Sequence, residues 1–199
     1  RAYDVRSGEL VWTFHTIPHP GEAGHDTWPG DAWKTAGGAN AWAGKSLDRE
    51  RGVVYVPTGS PTPDFDGSQR QGANLFANTI IALDARSGKR LWHYQTVHHD
   101  LWDRDLSSAP TLVTVRQDGE SRDLLAQASK QGVIYLLDRE TGKPSFPIEE
   151  VAVPPSQVPG EHAYPTQPQV TLPEPFVRQT FGEEDLTDIN PKAHAHVKA

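Results

Sequence analysis

Apolar residues in this chain come in short runs, and nearly every run is cut by glycine, proline or aspartate. "GVVYVPTG" (52–59), "NTIIALD" (78–84), "TLVTV" (111–115), "LLAQAS" (124–129) and "GVIYLLD" (132–138) are the clearest. Runs of this length, rich in β-branched and aromatic residues and bounded by turn formers, predict strands. No segment predicts a helix of useful length, although 183–199 could begin a short one. From Pro144 onward prolines are frequent and the periodicity fades, so 144–182 is expected to be an extended excursion lying over other structure.

One pattern recurs. "AYDVRSGELVW" (2–12) and "ALDARSGKRLW" (82–92) align without a gap, matching Ala2 with Ala82, Asp4 with Asp84, Gly8 with Gly88 and Trp12 with Trp92. "LLDRETGKPSF" (136–146) is a weaker copy that puts Phe146 in the tryptophan position, and "SLDRERGVVYV" (46–56) keeps only Asp48 and Gly52. In each copy an apolar strand ends at an Asp whose carboxylate can take turn N–H groups. A Gly then supplies positive φ, and a second strand closes on an aromatic. The copies predict successive hairpins. Their Asp residues step 4→48→84→138, spacings suited to propeller blades. The fold expected is all-β: a partial eight-bladed β-propeller of about four blade units, 1–199 forming one partial domain. A β-sandwich is the alternative, and the gapless match favours the propeller.

Composition narrows the function. With 19 Lys and Arg against 26 Asp and Glu the formal charge is −7, which argues against a nucleic-acid partner. No run of about 18 apolar residues occurs, so any membrane association would come from parts outside this chain. Without cysteine the segment holds no disulfide, thiolate metal site or CxxCH haem attachment. The chain opens at Arg1 in what reads as the middle of a strand pair, so a piece of a longer protein is expected.

Candidate chemistry sits in the connections. Trp42, in "TAGGANAWAG" (35–44), has small neighbours that would let a flat ligand approach, and it could equally plug a blade junction. "PTGSPTPDFDG" (57–67) offers Ser60, Thr62, Asp64 and Asp66 as oxygen donors for a hard cation, but lacks EF-hand spacing. A proline-shaped turn is the simpler reading there. "HHDLWDRD" (98–105) sets Asp103 beside Trp102, where desolvation could make the carboxylate a base or a metal ligand. The plain alternative for this stretch is surface pairing of Asp105 with Arg104 or Arg122. His98 and His99, being adjacent, would face opposite sides of a strand and make a poor zinc pair. Lys130 ends an apolar strand, as a solvent-facing cap or as an inward cation.

Together and in this order, these stretches resemble the quinoprotein dehydrogenases, whose cofactor is pyrroloquinoline quinone (PQQ). The repeat resembles that family's tryptophan-docking motif, with Ser7 and Ser87 where it has Thr. "DAWKTAGGANAWAG", "VYVPTGSPTPD", "SKQGVIYLLDRETGKP" and "PGEHAYPTQP" are closest to the glucose dehydrogenase branch. The resemblance implies PQQ and Ca²⁺ as cofactors. It implies Trp42 stacked on the quinone plane, Asp103 as catalytic base, Lys130 bonded to the quinone oxygens and Trp102 as a further cofactor contact. Asp103, Thr62 and Ser60 would lie at the metal, with Thr62 also near the cofactor. Ser60 replaces an Asn ligand of the methanol branch, a poorer donor. Further acidic ligands and a vicinal disulfide would lie upstream of Arg1. The implied reaction is oxidation of a sugar hydroxyl, glucose to gluconolactone, with electrons passed to ubiquinone or another acceptor in the periplasm. Another alcohol or polyol as substrate, or a non-enzymatic propeller scaffold, are the alternatives, and the segment alone is expected to be inactive.

Overall fold

The computed structural model describes residues 1–117 and 119–199. β1 (Ala2–Tyr3) pairs with β2 (Leu10–Trp12), followed by a one-turn helix α1 (Ala32–Thr35) and the two-residue strand β3 (Gly37–Gly38). Then come β4 (Ser46–Asp48), β5 (Val53–Pro57), β6 (Pro61–Thr62), β7 (Thr79–Asp84) and β8 (Arg90–Gln95). β4-β5-β7-β8 form one antiparallel four-stranded sheet, and β6 returns to pair with β3. β9 (Thr111–Gln117), β10 (Glu120–Ala128) and β11 (Ile134–Asp138) make a three-stranded sheet. β12 (Ile148–Ala152) and β13 (Thr166–Val170) make a hairpin, and α2 (Pro191–Lys198) closes the chain. Among the described residues no helix is long and apolar enough to cross a membrane.

The repeated turns form as their chemistry requires. Oδ1 of Asp4, Asp84 and Asp138 each accepts the backbone N–H two and three residues on, and the Ser7, Ser87 or Thr141 hydroxyl as well. Four residues past each Asp, Gly8, Gly88 and Gly142 sit at φ of 74°, 71° and 71°.

Each docking tryptophan then reaches the turn of the next repeat. Trp12 Nε1 donates to the Ala85 carbonyl at 3.1 Å, and Trp92 Nε1 donates to the Arg139 carbonyl at 3.2 Å. A Cβ built on Gly88 would lie 2.5 Å from the Trp12 ring, and one on Gly142 would lie 2.5 Å from the Trp92 ring. Sheets are thus stapled face to face by an indole lying on a glycine. Between them β7 is buried on both faces, which is why its sequence is continuously apolar. Ile80 and Ala82 face a core shared with Leu125, Tyr135 and Leu137, whereas Ile81 and Leu83 face Trp12 and Phe14.

Two expectations change. The degenerate copy at 46–56 is not a blade of its own: β4 and β5 belong to the sheet of β7 and β8, so the step from Asp48 to Asp84 runs within one blade. The proline-rich excursion does lie over other structure, but it contains the hairpin β12–β13. Ile148 and Val170 of that hairpin pack on the core shared by the two larger sheets. The tail adds a 3₁₀ turn at Glu183–Asp185 and α2, whose Asn190 cap accepts the Ala193 N–H.

Candidate active site

The connection after β8 carries "HHDLWDRD", and it is no strand. His98 and His99 do face different partners, but within a loop. Asp100, fully buried, organises this loop. Its Oδ1 accepts the Trp102 N–H at 2.9 Å, and its Oδ2 accepts the Arg104 N–H, the Ser60 hydroxyl and an Asn78 amide hydrogen at 2.6–2.8 Å. Arg70, 1% exposed, donates from beneath to the Asp100 carbonyl at 2.6 Å, and also to the Pro63 carbonyl and Asn74 Oδ1. A carboxylate this well supplied with donors holds its turn rigidly.

Backbone strain gathers at the same place. Among the described residues, the non-glycine residues at positive φ are Ala39, Asn74, Asn78, His99 and Asp103, at 46–59°. Each lies in the 98–105 loop or is hydrogen-bonded to that loop or to a residue that bonds to it: Ala39 N–H donates to the Ser60 carbonyl, Asn74 binds Arg70, and Asn78 binds Asp100. Such conformations cost of order 1–3 kcal/mol each and persist where surrounding structure over-determines them.

The loop presents its carboxylates to Lys130, at the end of β10. Lys130 Nζ donates to Asp103 Oδ2 at 2.8 Å and to Asp105 Oδ2 at 2.6 Å. Asp105 Oδ1 in turn accepts the Ser60 N–H at 2.7 Å. Burial pushes the Asp105 carboxyl up, but Lys130 and the Ser60 N–H outweigh it and hold it below the usual carboxylate range. The hydrogen bonds to Asp103 and Asp105 raise Lys130, which stays an ammonium. Asp64 is nearby: burial first, then the Asp103 and Asp105 charges, raise its carboxyl.

Trp42 completes the arrangement. Its indole is 54% exposed, and Lys130 Nζ lies 5.9 Å from the ring centroid. A Cβ on Gly59 would meet Trp42 Nε1 at 2.9 Å and collide with Asp105 Oδ1, so indole and carboxylate share one glycine-floored corner. An exposed aromatic plane beside an ammonium and two carboxylates suits a flat, hydrogen-bonding ligand.

Of the residues singled out in the sequence, Trp42, Asp103 and Lys130 come together here. Asp105 pairs with Lys130, not with Arg104 or Arg122 as the plain reading had it. Trp102, 48% exposed, stacks under Arg104 with the guanidinium carbon 4.6 Å from its ring centroid. Ser60 is buried, and its hydroxyl is already given to Asp100. Thr62 is exposed on β6, opposite Gly37. Among the described residues, no hydrogen bond joins Ser60 or Thr62 to Asp103. No group of three or more Asp, Glu or His there is arranged to hold a metal ion. Asn78, Asp100 and Arg70 were missed in the sequence. An Asn in "FANTII" and an Arg in "SQRQG" carry no local signal, because their partners lie 22 and 30 residues away.

Indole-stapled sheets around a strained, charged loop define a segment of a tryptophan-docked β-propeller with an open site at its strand ends. Residues 1–199 match the family model described as "PQQ: Glucose/ethanol/alcohol dehydrogenase, beta-propeller domain". The chain belongs to this family. It is 42% identical over 177 residues to the quinoprotein glucose dehydrogenase of Gluconobacter oxydans (strain 621H), covering 86% of this chain and 22% of that protein. It is 38% identical over 194 residues to the quinate/shikimate dehydrogenase (quinone) of Acinetobacter baylyi, covering 96% of this chain and 24% of that one. Among solved structures, the quinohemoprotein alcohol dehydrogenase from Comamonas testosteroni superimposes with a TM-score of 0.65 at 30% identity, covering 83% of this chain and 27% of that one. The chain thus spans about a quarter or less of the length of the curated relatives it matches.

Proposed function

We propose that this chain is the site-bearing segment of a PQQ-dependent dehydrogenase that oxidises a sugar hydroxyl, glucose to gluconolactone being the type reaction. The observation that carries this reading is the Lys130 ammonium shared by Asp103 and Asp105 beside the exposed face of Trp42. PQQ, a planar ortho-quinone bearing carboxylates, would supply two-electron oxidation when bound there. Trp42 would hold its plane, with Trp102 as an outer contact, and Lys130 would meet its oxygens. Asp103 has Oδ2 engaged by Lys130, and among the described residues no donor reaches its Oδ1. That oxygen is the one assigned to take the substrate hydroxyl proton as the carbon is oxidised. Lys130 keeps positive charge where negative charge develops, without reorganising at the moment of reaction. Calcium belongs to the same proposal. Asp103, Thr62 and Ser60 are its candidate donors from this chain, the remainder would come from the rest of the protein, and no step here depends on it. The reading also carries a periplasmic location and a quinone acceptor.

The test uses the full-length protein containing this segment. Dye reduction is measured with PQQ and Ca²⁺ added or withheld, and with glucose, glycerol and quinate side by side. Glucose turnover that needs PQQ and drops by about 10³-fold or more in Asp103→Asn, with PQQ still bound, is the expected result. Wild-type turnover in that variant removes Asp103 as the base. Absence of PQQ binding removes the dehydrogenase reading, and turnover confined to glycerol or quinate removes the sugar.

A further inference from the structure

His99 and Glu161 form a buried pair away from the Lys130 cluster, their side chains 0% and 2% exposed. His99 Nδ1 lies 2.9 Å from the Gly72 carbonyl, which can only accept, so Nδ1 carries a proton. His99 Nε2 lies 2.6 Å from Glu161 Oε1, and this contact needs a second proton between the two atoms. The other carboxylate oxygen accepts the Gly67 N–H, and Oε1 also takes the His162 N–H at 2.8 Å. A Cβ on Gly67 would collide with the imidazole and come within 2.9 Å of the carboxylate, so the packing leaves no slack. The neighbouring His98 is held as well. Its N–H donates to Gln167 Oε1 at 2.9 Å, and its carbonyl accepts from Gln167 Nε2 at 2.6 Å. The 159–168 stretch therefore grips the first two residues of the loop that ends in Asp103 and Asp105.

A buried His–carboxyl pair is a weak source of stability, since an apolar pair of the same volume often serves as well. What this one supplies is a fixed direction. His99 stands at φ 47°, its N–H bonded to the Ala73 carbonyl at 3.1 Å. The following Asp100 clamps the N–H groups of Trp102 and Arg104, on either side of Asp103 at φ 55°. These bonds connect His99 through one turn to Asp103, four residues on. Neither His99 nor Glu161 bonds to Asp103, Lys130 or Trp42 among the described residues.

We infer that the His99–Glu161 pair is a positioning device for Asp103, locking the 98–105 loop to the 159–168 segment. The inference rests on Asp103 being the base in the function proposed above.

The experiment uses the full-length protein loaded with PQQ. Glu161→Ala and Glu161→Gln are each made alone and in an Asp103→Asn background, and His99→Gln is measured beside them. Glu161→Ala is expected to lower kcat about 10–100-fold, the scale of a small misplacement of a reacting group, with KM and PQQ content little changed. Glu161→Gln is expected to recover kcat to within a few-fold of wild type. Its amide oxygen can take the Gly67 N–H while its amide hydrogen meets Nε2 of a neutral His99, and only the His162 N–H loses its acceptor. In the Asp103→Asn background Glu161→Ala should change the residual rate no further, because both act through one carboxylate. An equal fractional loss in both backgrounds overturns the inference. So does a Glu161→Gln variant no better than Glu161→Ala, or loss of PQQ content in step with kcat. Should Glu161→Ala fail to fold, His99→Gln carries the same comparison: partial loss alone and none on Asp103→Asn supports the inference, and additive loss overturns it. Wild-type kcat in Asp103→Asn by itself sinks the base assignment, a separate and recognisable failure.

Discussion

Gly142→Ala adds one methyl group where the Trp92 indole lies on the next repeat's turn. Two costs arise. Gly142 has φ 71°, where an L-residue with a Cβ loses about 1–2 kcal/mol. The new Cβ would also sit 2.5 Å from Trp92 Cε3, whereas an ordinary contact begins at 3.4 Å, so ring or turn must yield by about 0.9 Å. Trp92 cannot retreat freely. It is 8% exposed, its Nε1 is bonded to the Arg139 carbonyl, and its ring packs against Tyr55 at 5.7 Å between centroids. Overpacking of this kind costs about 1–3 kcal/mol, and the strained hydrogen bond about 1 kcal/mol more. Gly52→Ala is the internal control: Gly52 stands at the same place in the degenerate copy, at φ 65°, with nothing within 4 Å of a built Cβ. The expected outcome is a loss of about 1–2 kcal/mol for Gly52→Ala and about 3–6 kcal/mol for Gly142→Ala. Urea unfolding of the full-length protein, compared by midpoint at constant slope, measures both. Equal losses in the two variants would falsify the docking argument, because the shared positive φ would then account for everything.

Other outcomes follow from the same physics. Burial, with the Arg90 charge adding to it, pushes the His93 imidazole down to about 4, and Arg90 Nη1 lies 2.6 Å from its Nδ1. Its folded pKa lies below the unfolded value, so its contribution is intact above about pH 6.5 and is lost as pH falls toward 4. Stability is expected to drop by about 2 kcal/mol between pH 7 and pH 5. His93→Gln should flatten that interval in parallel urea titrations, and an unchanged slope refutes the assignment. Lys130→Met leaves Asp103 and Asp105 facing each other without their shared cation. A loss of about 10²–10³-fold in kcat is expected, with some loss of thermal stability, because Asp105, its side chain 10% exposed, is left without its cation. Steady-state kinetics beside a melting curve decides it.

Hairpin turns were legible in the sequence because their hydrogen bonds span only two to four residues. Asp84 collects the N–H groups of Arg86 and Ser87, and Gly88 supplies the positive φ that closes the turn. The candidate site was legible in part. Trp42, Asp103 and Lys130 stood out by residue type and by resemblance, whereas the buried carboxylate that shapes their loop, Asp100, looked like any other member of an acidic stretch. His99 was weighed as half of a metal pair, and its actual partner, Glu161, lies 62 residues on.

Taken alone, then, the sequence determined a mainly β chain of Asp- and Gly-turned repeats, two of them hairpins that close on tryptophan, because those features are settled by short-range sterics and hydrogen bonding. Tertiary structure alone decided where each aromatic docks, since Trp92 reaches Arg139 across 47 residues. It alone joined β4 and β5 to β7 and β8 in one blade. It also decided that Lys130 holds two carboxylates rather than one, because Asp105 enters the site only once Ser60 and Gly59 are brought up beneath it. Such contacts depend on which faces must be buried against each other, and a burial requirement names a kind of surface without naming the residue that will meet it.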